Sequence, residues 1–337
     1  MPELPELMQA LLDPQAYPEP PERVEMVQTQ ISYVFFAGDR VYKIKKPVDM
    51  GFLDYTTLEK RLHFSRKEVE LNRRLCADAY LGVVPVTDDR GRISIGGDGN
   101  IVEYAVKMVR LPREAMMDVL LAQNRVTPEM VRSVAERLVE FHRSAETGEE
   151  INTFGSIEMV TKTTLEENFG QTEKYAGKIV PAAQYRRLRG YTERFLRENT
   201  AVFERRVKDG RIRDCHGDLH ADHVCFWKGI CIYDCIEFTD RLRYIDVAAE
   251  VAFLAMDLDH YGRRDLSGTF IRAYIEKSGD QELMKLLDFY KSYRAYVRGK
   301  IGCFQYDDPY IPAAEKEKIL ANARSYFDLA ESCTRTG

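Results

Sequence analysis

The 337-residue sequence lacks several features that would assign a protein to a class at once. It contains no GxxxxGK(S/T) segment, so a P-loop nucleotide site is not supported. It has no low-complexity tract and no internal repeat. No apolar run approaches the roughly 20 residues of a membrane-spanning helix. The first residues, MPELPELMQALLDP, lack the basic and apolar regions of a signal peptide. We therefore expect no membrane partner.

The chain also has little net charge. Its 49 Lys and Arg residues against 54 Asp and Glu residues leave a net charge of −5, which implies no general affinity for polyanions such as nucleic acids. The hydrophobic content of 45% and the charged content of 31% are ordinary for a globular protein, and the length suggests two lobes. The seven cysteines are an odd number, and we expect them to be reduced, buried thiols of a cytoplasmic protein. The sequence does not indicate an oligomeric state.

The most informative segment runs from Cys215 to Asp246 and contains three of the six histidines of the chain within eight residues. Two short apolar runs, Val224–Trp227 and Ile230–Tyr233, are separated only by Lys-Gly, which predicts a β-hairpin. Asp218 precedes the hairpin and Asp234 ends its second strand. Because a tight hairpin can bring its two ends together, we expect these two carboxylates to converge.

Two convergent carboxylates suit phosphoryl transfer, in which one accepts the proton of an attacking hydroxyl and the other holds Mg²⁺. The residues His216-Gly217-Asp218, followed by a strand pair and Ile-Tyr-Asp234, resemble the aminoglycoside phosphotransferase and choline-kinase group, which shares the protein-kinase fold. The resemblance implies that Asp218 is the catalytic base and Asp234 the metal ligand. The group's H-x-D-x-x-x-x-N pattern ends here in His223, a candidate second metal ligand, although imidazole suits softer ions than Mg²⁺.

Two other interpretations of this segment stay open. The first is a zinc or metallo-hydrolase site, because the segment comes one residue short of an H-x-H-x-D-H pattern. That site would need a further histidine downstream, where only His260 remains. The second is a structural loop whose histidines hydrogen-bond their neighbours. The candidate zinc ligands are Cys215, His216, His220, His223 and Cys225.

The N-terminal part predicts three antiparallel strands, Val24–Thr29, Tyr33–Phe36 and Val41–Lys45. Side chains alternate along a strand, so Lys43 and Lys45 share one face of the third strand. This pattern alone also fits a solvated edge strand. The resemblance implies instead that Lys43 contacts the nucleotide phosphates, with Lys45 as the second choice.

A helix is predicted from a capping box at Thr56 and Glu59 to about Cys76. By resemblance it carries Glu68, the partner of the strand lysine. Glu70 is the rival, and it lies about 200° around the helix from Glu68, so at most one of the two can face the strand.

Two weaker assignments complete the predicted nucleotide site. Ser32 occupies the turn that replaces a glycine-rich loop and could donate to phosphates. The resemblance makes 106–110 the hinge, where Met108 would contact the adenine edge through its backbone. The boundary between the lobes is expected there.

The predicted acceptor site is drawn from the C-terminal half. Lys291, Arg294 and Arg298 follow an i, i+3, i+7 spacing and share one helix face, and Glu237 is added from the segment after Asp234. If this basic face lines the acceptor pocket, the acceptor is anionic or neutral rather than a polycation. The alternative is a solvated charged face.

Together these features predict an α+β, two-lobed, protein-kinase-like fold with a nucleotide-binding lobe over 1–110 and a catalytic lobe over 111–337. The expected reaction moves the γ-phosphoryl group of ATP or GTP to a hydroxyl of a small-molecule acceptor with the help of Mg²⁺. Asp246 opens an apolar helix as its N-cap, and the resemblance implies that it supports the catalytic loop. The alternative function, motivated by His223, is a nucleotide-binding pseudokinase that acts as a scaffold or regulator.

Overall fold

A computed structural model describes residues 4–308 and 311–335. Its contacts divide the chain into two compact units. The first comprises the described residues up to Val119 together with His223–Asp240, and the second comprises Leu120–Asp222 and the described residues from Arg241 onward. The division therefore differs from the expected boundary at residue 110. The reason is local: the hairpin after the histidine segment forms backbone contacts with 115–116, including Phe226 N–H to Ala115 C=O at 2.9 Å.

The first unit is built on a six-stranded antiparallel sheet with the order β1-β2-β3-β6-β4-β5. The strands are β1 (Val24–Gln28), β2 (Ser32–Ala37), β3 (Arg40–Lys45), β4 (Tyr80–Asp89), β5 (Arg92–Ile95) and β6 (Asn100–Val109). The three N-terminal strands are confirmed to within one residue at each end.

Alternation along β3 decides what each face of the sheet carries. Tyr42 and Ile44 are buried in an apolar cluster that includes Phe35 and the residues around the short helix α1 (Glu6–Ala10). Lys43 and Lys45 project from the opposite face. The apolar face of β3 therefore fixes the strand by packing into this cluster, and the opposite face carries the two lysines.

Helix α2 (Leu58–Cys76) begins one residue later than predicted. Thr57, not Thr56, is the N-cap, and its hydroxyl accepts from the backbone N–H of Lys60 at 3.3 Å. The hydroxyl of Thr56 donates instead to Asp54 at 2.6 Å. Glu68 is fully buried on the inner face of the helix, whereas the rival Glu70 is exposed.

The predicted hairpin is present as two short strands, β8 (Val224–Cys225) and β9 (Cys231–Ile232), in antiparallel register. Lys228 and Gly229 both adopt positive φ, at 49° and 104°, which suits a tight two-residue turn. The hairpin is tied to the end of α2 by a disulfide between Cys76 and Cys231, whose Cα atoms lie 4.6 Å apart.

The expectation of reduced thiols is wrong for these two cysteines. The pair is distant in sequence, by 155 residues, so no spacing pattern indicates it. The other five cysteines are buried and form no disulfide within the described residues; they are Cys215, Cys225, Cys235, Cys303 and Cys333.

The second unit is mainly helical, with one two-stranded sheet that pairs β7 (Ile212–Asp214) and β10 (Tyr244–Asp246). Helix α3 contains the division between the units. The helices from α3 onward are α3 (Met117–Ala122), α4 (Pro128–Ser144), α5 (Glu149–Asn152), α6 (Ile157–Thr161), α7 (Asn168–Gly170), α8 (Ala182–Glu198), α9 (Thr200–Lys208), α10 (Val247–His260), α11 (Arg264–Ser278), α12 (Leu287–Asp307) and α13 (Ala313–Cys333). A π-helical segment, Lys162–Glu167, joins α6 to α7.

Helix α10 is the centre of this unit, because its residues from Val247 to Leu258 are all buried. Asp246 caps it as predicted, accepting from the backbone N–H of Ala248 at 2.8 Å. The same carboxylate pairs through both oxygens with the buried Arg206, at 2.6 and 2.9 Å. Within the described ranges, no helix combines the length and apolarity that crossing a bilayer requires.

The disulfide predicts a simple thiol count. In denaturant without reductant we expect five reactive thiols, and seven after reduction, by reaction with a chromogenic disulfide reagent. In Cys76→Ser all remaining cysteines should react in both states, and unreduced protein should lose about 2–4 kcal/mol of stability relative to the wild type.

Cys303→Ser is the matched control, because it removes a buried free thiol and leaves the disulfide intact. It should keep a difference of two thiols between the unreduced and reduced states. Seven reactive thiols in the unreduced wild type would contradict the disulfide.

Candidate active site

The first unit brings together Lys43, Glu68 and Asp234 from β3, α2 and the end of the hairpin. The Lys43 ammonium lies 2.6 Å from Asp234 Oδ1 and 3.0 Å from Glu68 Oε1. Ion pairs of this kind, with a buried carboxylate on one side, are short and directional. The lysine that the resemblance selected therefore lies between the glutamate and the aspartate that it selected.

Lys45 occupies a different environment on the same face. Its side chain is 1% exposed, and its ammonium lies 2.7 Å from Glu68 Oε2 and in contact with Glu237 Oε1. The Tyr55 ring covers it at 4.9 Å, and the Tyr55 hydroxyl donates to Glu237 at 2.6 Å. The two oxygens of Glu68 thus serve two lysines. Enclosed by these groups, Lys45 is placed to hold carboxylates rather than to reach a ligand.

Glu237 lies in the first unit, 4% exposed and engaged by Lys45 and Tyr55. The acceptor contact predicted for Glu237 stays a prediction that this enclosure does not favour.

The charges in this network shift the pKa values of Lys43 and Glu237. Burial alone would lower the pKa of Lys43, but the carboxylates of Asp234, Glu68 and Glu237 raise it well above its ordinary value. Burial would raise the pKa of Glu237, but the charges of Lys45 and Lys43 and a hydrogen bond from Lys45 lower it. Two ammonium groups face three carboxylates, so the network carries one excess negative charge.

Asp234, the predicted metal ligand, is the most exposed carboxylate of this network. The Asp234 side chain is 41% exposed, whereas Glu68 and Glu237 are enclosed. Asp234 has φ 62°, a left-handed conformation that non-glycine residues adopt mainly at special positions, and its backbone N–H donates to the Tyr80 hydroxyl at 3.2 Å. A hard divalent cation that keeps part of its water shell fits such a carboxylate.

His223 lies beside this carboxylate, with Nε2 3.6 Å from Asp234 Oδ2. Its ring also makes an edge contact with Tyr233, at 5.6 Å between centroids. Imidazole is a poor ligand for Mg²⁺, so the donor set fits the metal through Asp234 and not through His223. The metal role of His223 stays a prediction.

In the second unit, Asp218 lies on a loop whose backbone is hydrogen-bonded to helix α10. The backbone N–H groups of His216 and Gly217 donate to the Glu250 carboxylate at 3.1 and 2.6 Å. His142 Nε2 lies 2.9 Å from the same carboxylate. Burial would raise the pKa of Glu250, but the hydrogen bond and charge of His142 outweigh it and lower the pKa to about 2.

Glu250 was missed in the sequence analysis. It sits in an apolar helix, four residues after Asp246, and the only available signal was an acid inside an otherwise apolar run. Its partner His142 lies near the end of α4 and is within hydrogen-bonding distance of Glu250.

Around Asp218 the second unit places His220 and Arg298. His220 Nε2 lies 3.7 Å from Asp218 Oδ2 and 3.4 Å from Arg298 Nη1. Burial would lower the pKa of His220, but the charge of Asp218 raises it above the ordinary value. Asp218 itself remains accessible, with a side chain that is 36% exposed.

Two of the candidate zinc ligands make local hydrogen bonds. His216 Nδ1 accepts from the Asp218 backbone N–H at 3.3 Å, and Cys215 donates to the Ile245 carbonyl at 3.6 Å. Cys225 is buried in the apolar cluster of the first unit. Such contacts are those that the structural-loop interpretation predicts.

The three basic residues of α12 do not form a solvated face, so that alternative is wrong. Lys291, which is itself buried, pairs with Asp259. Arg294 is 6% exposed, and Arg298 lies 3.9 Å from Asp222 Oδ2 with a side chain that is 24% exposed. They share a helix side as expected, but each meets a different environment.

The two weaker nucleotide assignments fall inside the first unit. Ser32 is fully buried opposite Lys45 in the sheet, and its Oγ has no hydrogen-bond partner among the described residues. Met108 has strand neighbours on both sides, Val41 and Tyr80, and a buried side chain. The ligand contacts assigned to Ser32 and Met108 stay predictions.

Comparison with known proteins identifies the family of this chain. Residues 66–289 match the model of the phosphotransferase enzyme family (APH), and the chain belongs to this family. Uncharacterized proteins of Mycobacterium tuberculosis and Mycobacterium bovis are each 34% identical over 284 residues, which cover 84% of this chain and 55% of the relative. The chain thus spans about half the length of the curated relatives it matches.

The likeness in fold is carried by one solved structure. The amicoumacin kinase hAmiN, in complex with AMP-PNP, Ca²⁺ and Ami, aligns with a TM-score of 0.55 at 13% identity, over 98% of this chain and 94% of that one. A choline/ethanolamine kinase family protein of Mesorhizobium loti aligns with a TM-score of 0.46 at 14% identity, over 93% and 92%. The predicted α+β, protein-kinase-like fold and the resemblance to small-molecule kinases are confirmed. Nothing in these comparisons supports the pseudokinase alternative.

The Lys45 pair gives a stability prediction. Lys45→Met should destabilise the protein by about 3–5 kcal/mol, because it leaves two buried carboxylates with one fewer cation. Adding Glu237→Gln should recover part of that loss, since it removes one of the two buried carboxylate charges. Urea unfolding followed by circular dichroism completes the double-mutant cycle. Strict additivity of the two substitutions would contradict the coupling, and the exposed Glu70→Gln serves as the control on the same unit.

Glu250 gives a pH prediction. Because its pKa is lower in the folded protein, its ionised form contributes stability that is fully present above about pH 4.5 and lost as pH falls towards 2. The difference in unfolding free energy between the wild type and Glu250→Gln should therefore shrink over that window, by roughly 1.4 kcal/mol per pH unit. Glu140→Gln, on the exposed side of α4, should show no such trend. A difference independent of pH would contradict the assignment.

Proposed function

We propose that this chain transfers the γ-phosphoryl group of ATP or GTP to a hydroxyl of a small-molecule acceptor. The observation that carries the proposal is the position of the Lys43 ammonium between Glu68 and Asp234. Kinases of this fold need a lysine held by a helix glutamate and an aspartate that binds the metal. The family match is consistent with this chemistry.

In the proposed mechanism, the first unit holds the nucleotide phosphates. Lys43 contacts phosphate oxygens, and Glu68 fixes the position of its ammonium. Lys45, Glu237 and Tyr55 keep the Glu68 carboxylate in place, because its second oxygen is occupied by Lys45. Asp234 would bind Mg²⁺, which neutralises phosphate charge when it is bound.

The second unit supplies the base. Asp218 accepts the proton of the acceptor hydroxyl, and its loop is held by the two N–H···O bonds to Glu250. His220 carries a raised pKa and is available to stabilise the ionised form of Asp218. The expectation that the carboxylates of Asp218 and Asp234 converge on one site remains part of the proposal.

Asp218→Asn tests this proposal. Removal of a general base should lower turnover by about 10²- to 10⁴-fold, because no group then accepts the hydroxyl proton. Phosphate transfer from radiolabelled ATP or GTP is measured across a panel of small hydroxyl compounds, and nucleotide binding is followed separately with a fluorescent ATP analogue. Binding should persist in Asp218→Asn and weaken in Asp234→Asn when Mg²⁺ is present.

Asp209→Asn, an exposed substitution after α9, is the control and should keep full turnover. Equal turnover in Asp218→Asn and the wild type would contradict the role of Asp218. Nucleotide binding without turnover in the wild type, on every acceptor in the panel, would favour a pseudokinase.

A further inference from the structure

Among the residues that the structure describes, Arg294 is a buried cation without a carboxylate partner. Six lysine and arginine side chains are buried within the described ranges: Lys45, Arg61, Arg206, Arg243, Lys291 and Arg294. The first five each have a carboxylate oxygen within 4.0 Å. Within those ranges Arg294 has none. Buried charges are normally paired, so this exception calls for a source of negative charge.

The contacts that Arg294 does make leave part of its guanidinium available. Nε donates to the Ala249 carbonyl at 3.2 Å, and Nη1 donates to the Gly217 carbonyl at 3.3 Å. The group stacks on Phe253 at 4.6 Å from the ring centroid. Nη2 makes no hydrogen bond to any residue that the structure describes. Carbonyl dipoles and a ring face stabilise the positive charge of the guanidinium in part, but they do not neutralise it.

Arg294 also lines a cavity of about 50 Å³ that lies entirely within the second unit. Most of the wall is apolar or weakly polar, and it includes Phe154, Met159, Val160, Phe203, Ile212 and Tyr290. One water molecule needs about 10–15 Å³ of such cavity volume. The space therefore holds a few heavy atoms, such as those of a carboxylate or phosphate group.

The other charged residues of the wall are already compensated. Arg241 meets both oxygens of Glu167 at 2.6 Å. Asp246 is engaged by Arg206 through both of its oxygens. The uncompensated charge of the cavity is therefore that of Arg294, and it is positive.

The cavity is also linked to the catalytic loop. Gly217, whose carbonyl accepts from Arg294, directly precedes Asp218. A ligand held by Arg294 would thus be bound beside the backbone that positions the proposed base.

We propose that Arg294 and this cavity bind an anionic group, carboxylate or phosphate, carried by the acceptor. The proposal rests on the proposed phosphotransferase function and narrows the acceptor class to small hydroxy acids and phosphorylated polyols. A planar guanidinium with a spare donor edge suits both anions. Lys291 and Arg298, the other basic residues of α12, are not assigned to the anion, because acids already face them.

The test measures binding without nucleotide, so it does not depend on turnover. The probes are lactate and glycerol 3-phosphate, with 1,2-propanediol and glycerol as neutral counterparts, titrated by calorimetry at constant ionic strength into wild-type and Asp218→Asn protein. We expect at least one anionic probe to bind both proteins, and neither neutral compound to bind. Arg294→Met, which keeps the side-chain stem on Phe253, should weaken that binding at least tenfold, whereas Arg294→Lys should retain part of it.

Arg241→Gln is the matched control, because it removes a cavity arginine that Glu167 already neutralises; it should change the affinity less than threefold. Folding is checked independently, since Arg294→Met should cost less stability than Lys291→Met, which strands Asp259. Failure of both anions to bind, or equal affinity in Arg294→Met, would overturn the anion site. Anion binding that depends on Arg294, together with transfer only to neutral acceptors, would overturn the acceptor assignment. Anion binding with no transfer to any compound would leave the anion site standing and count against the proposed function.

Discussion

The carboxylate of Glu68 is the interaction on which the candidate site depends. It is fully buried, and each oxygen meets a different ammonium, Lys43 on one side and Lys45 on the other. An ionised carboxylate in such surroundings persists only if both oxygens are satisfied. The enclosed Lys45 therefore makes it possible for Lys43 to stay at the open edge beside Asp234. One strand supplies both lysines because its side chains alternate with period two.

The second unit solves a similar problem with a different pair. Glu250 is fully buried in the apolar helix α10, and its carboxylate is held by hydrogen-bonding contacts with His142 and with two backbone N–H groups of the Asp218 loop. Those N–H groups would otherwise be unsatisfied at a turn where Gly217 has φ 87°. The loop's shape and the ionisation of Glu250 thus depend on each other, which explains why an acid is retained in the centre of the helical core.

Sequence reasoning found the parts of this arrangement that periodicity and local motifs determine. It predicted the three N-terminal strands, the hairpin, the helix that carries Glu68 and the shared face of Lys43 and Lys45. It could not decide which lysine is enclosed, because that depends on Glu237 and Tyr55, which lie far apart in the chain. The disulfide and Glu250 were missed for the same reason: their partners are set by packing, and neither has a spacing signature. The helix start was wrong by one residue because Thr56 and Thr57 are both good N-caps, and Asp54 engages the first.

The basic side of α12 shows what charge compensation adds to a pattern. The i, i+3, i+7 spacing treats Lys291, Arg294 and Arg298 as equivalent. In the part of the chain that the structure describes, however, acids pair with Lys291 and Arg298, whereas Arg294 meets carbonyls and an aromatic ring. The shared helix face thus identifies candidate ligand-binding residues. The cost of burying an unpaired charge then distinguishes Arg294 from the other two. Arg294 lies at a cavity and against the loop of the proposed base, and no carboxylate of the described residues pairs with it. It is therefore the member of the set that an anionic ligand would complete.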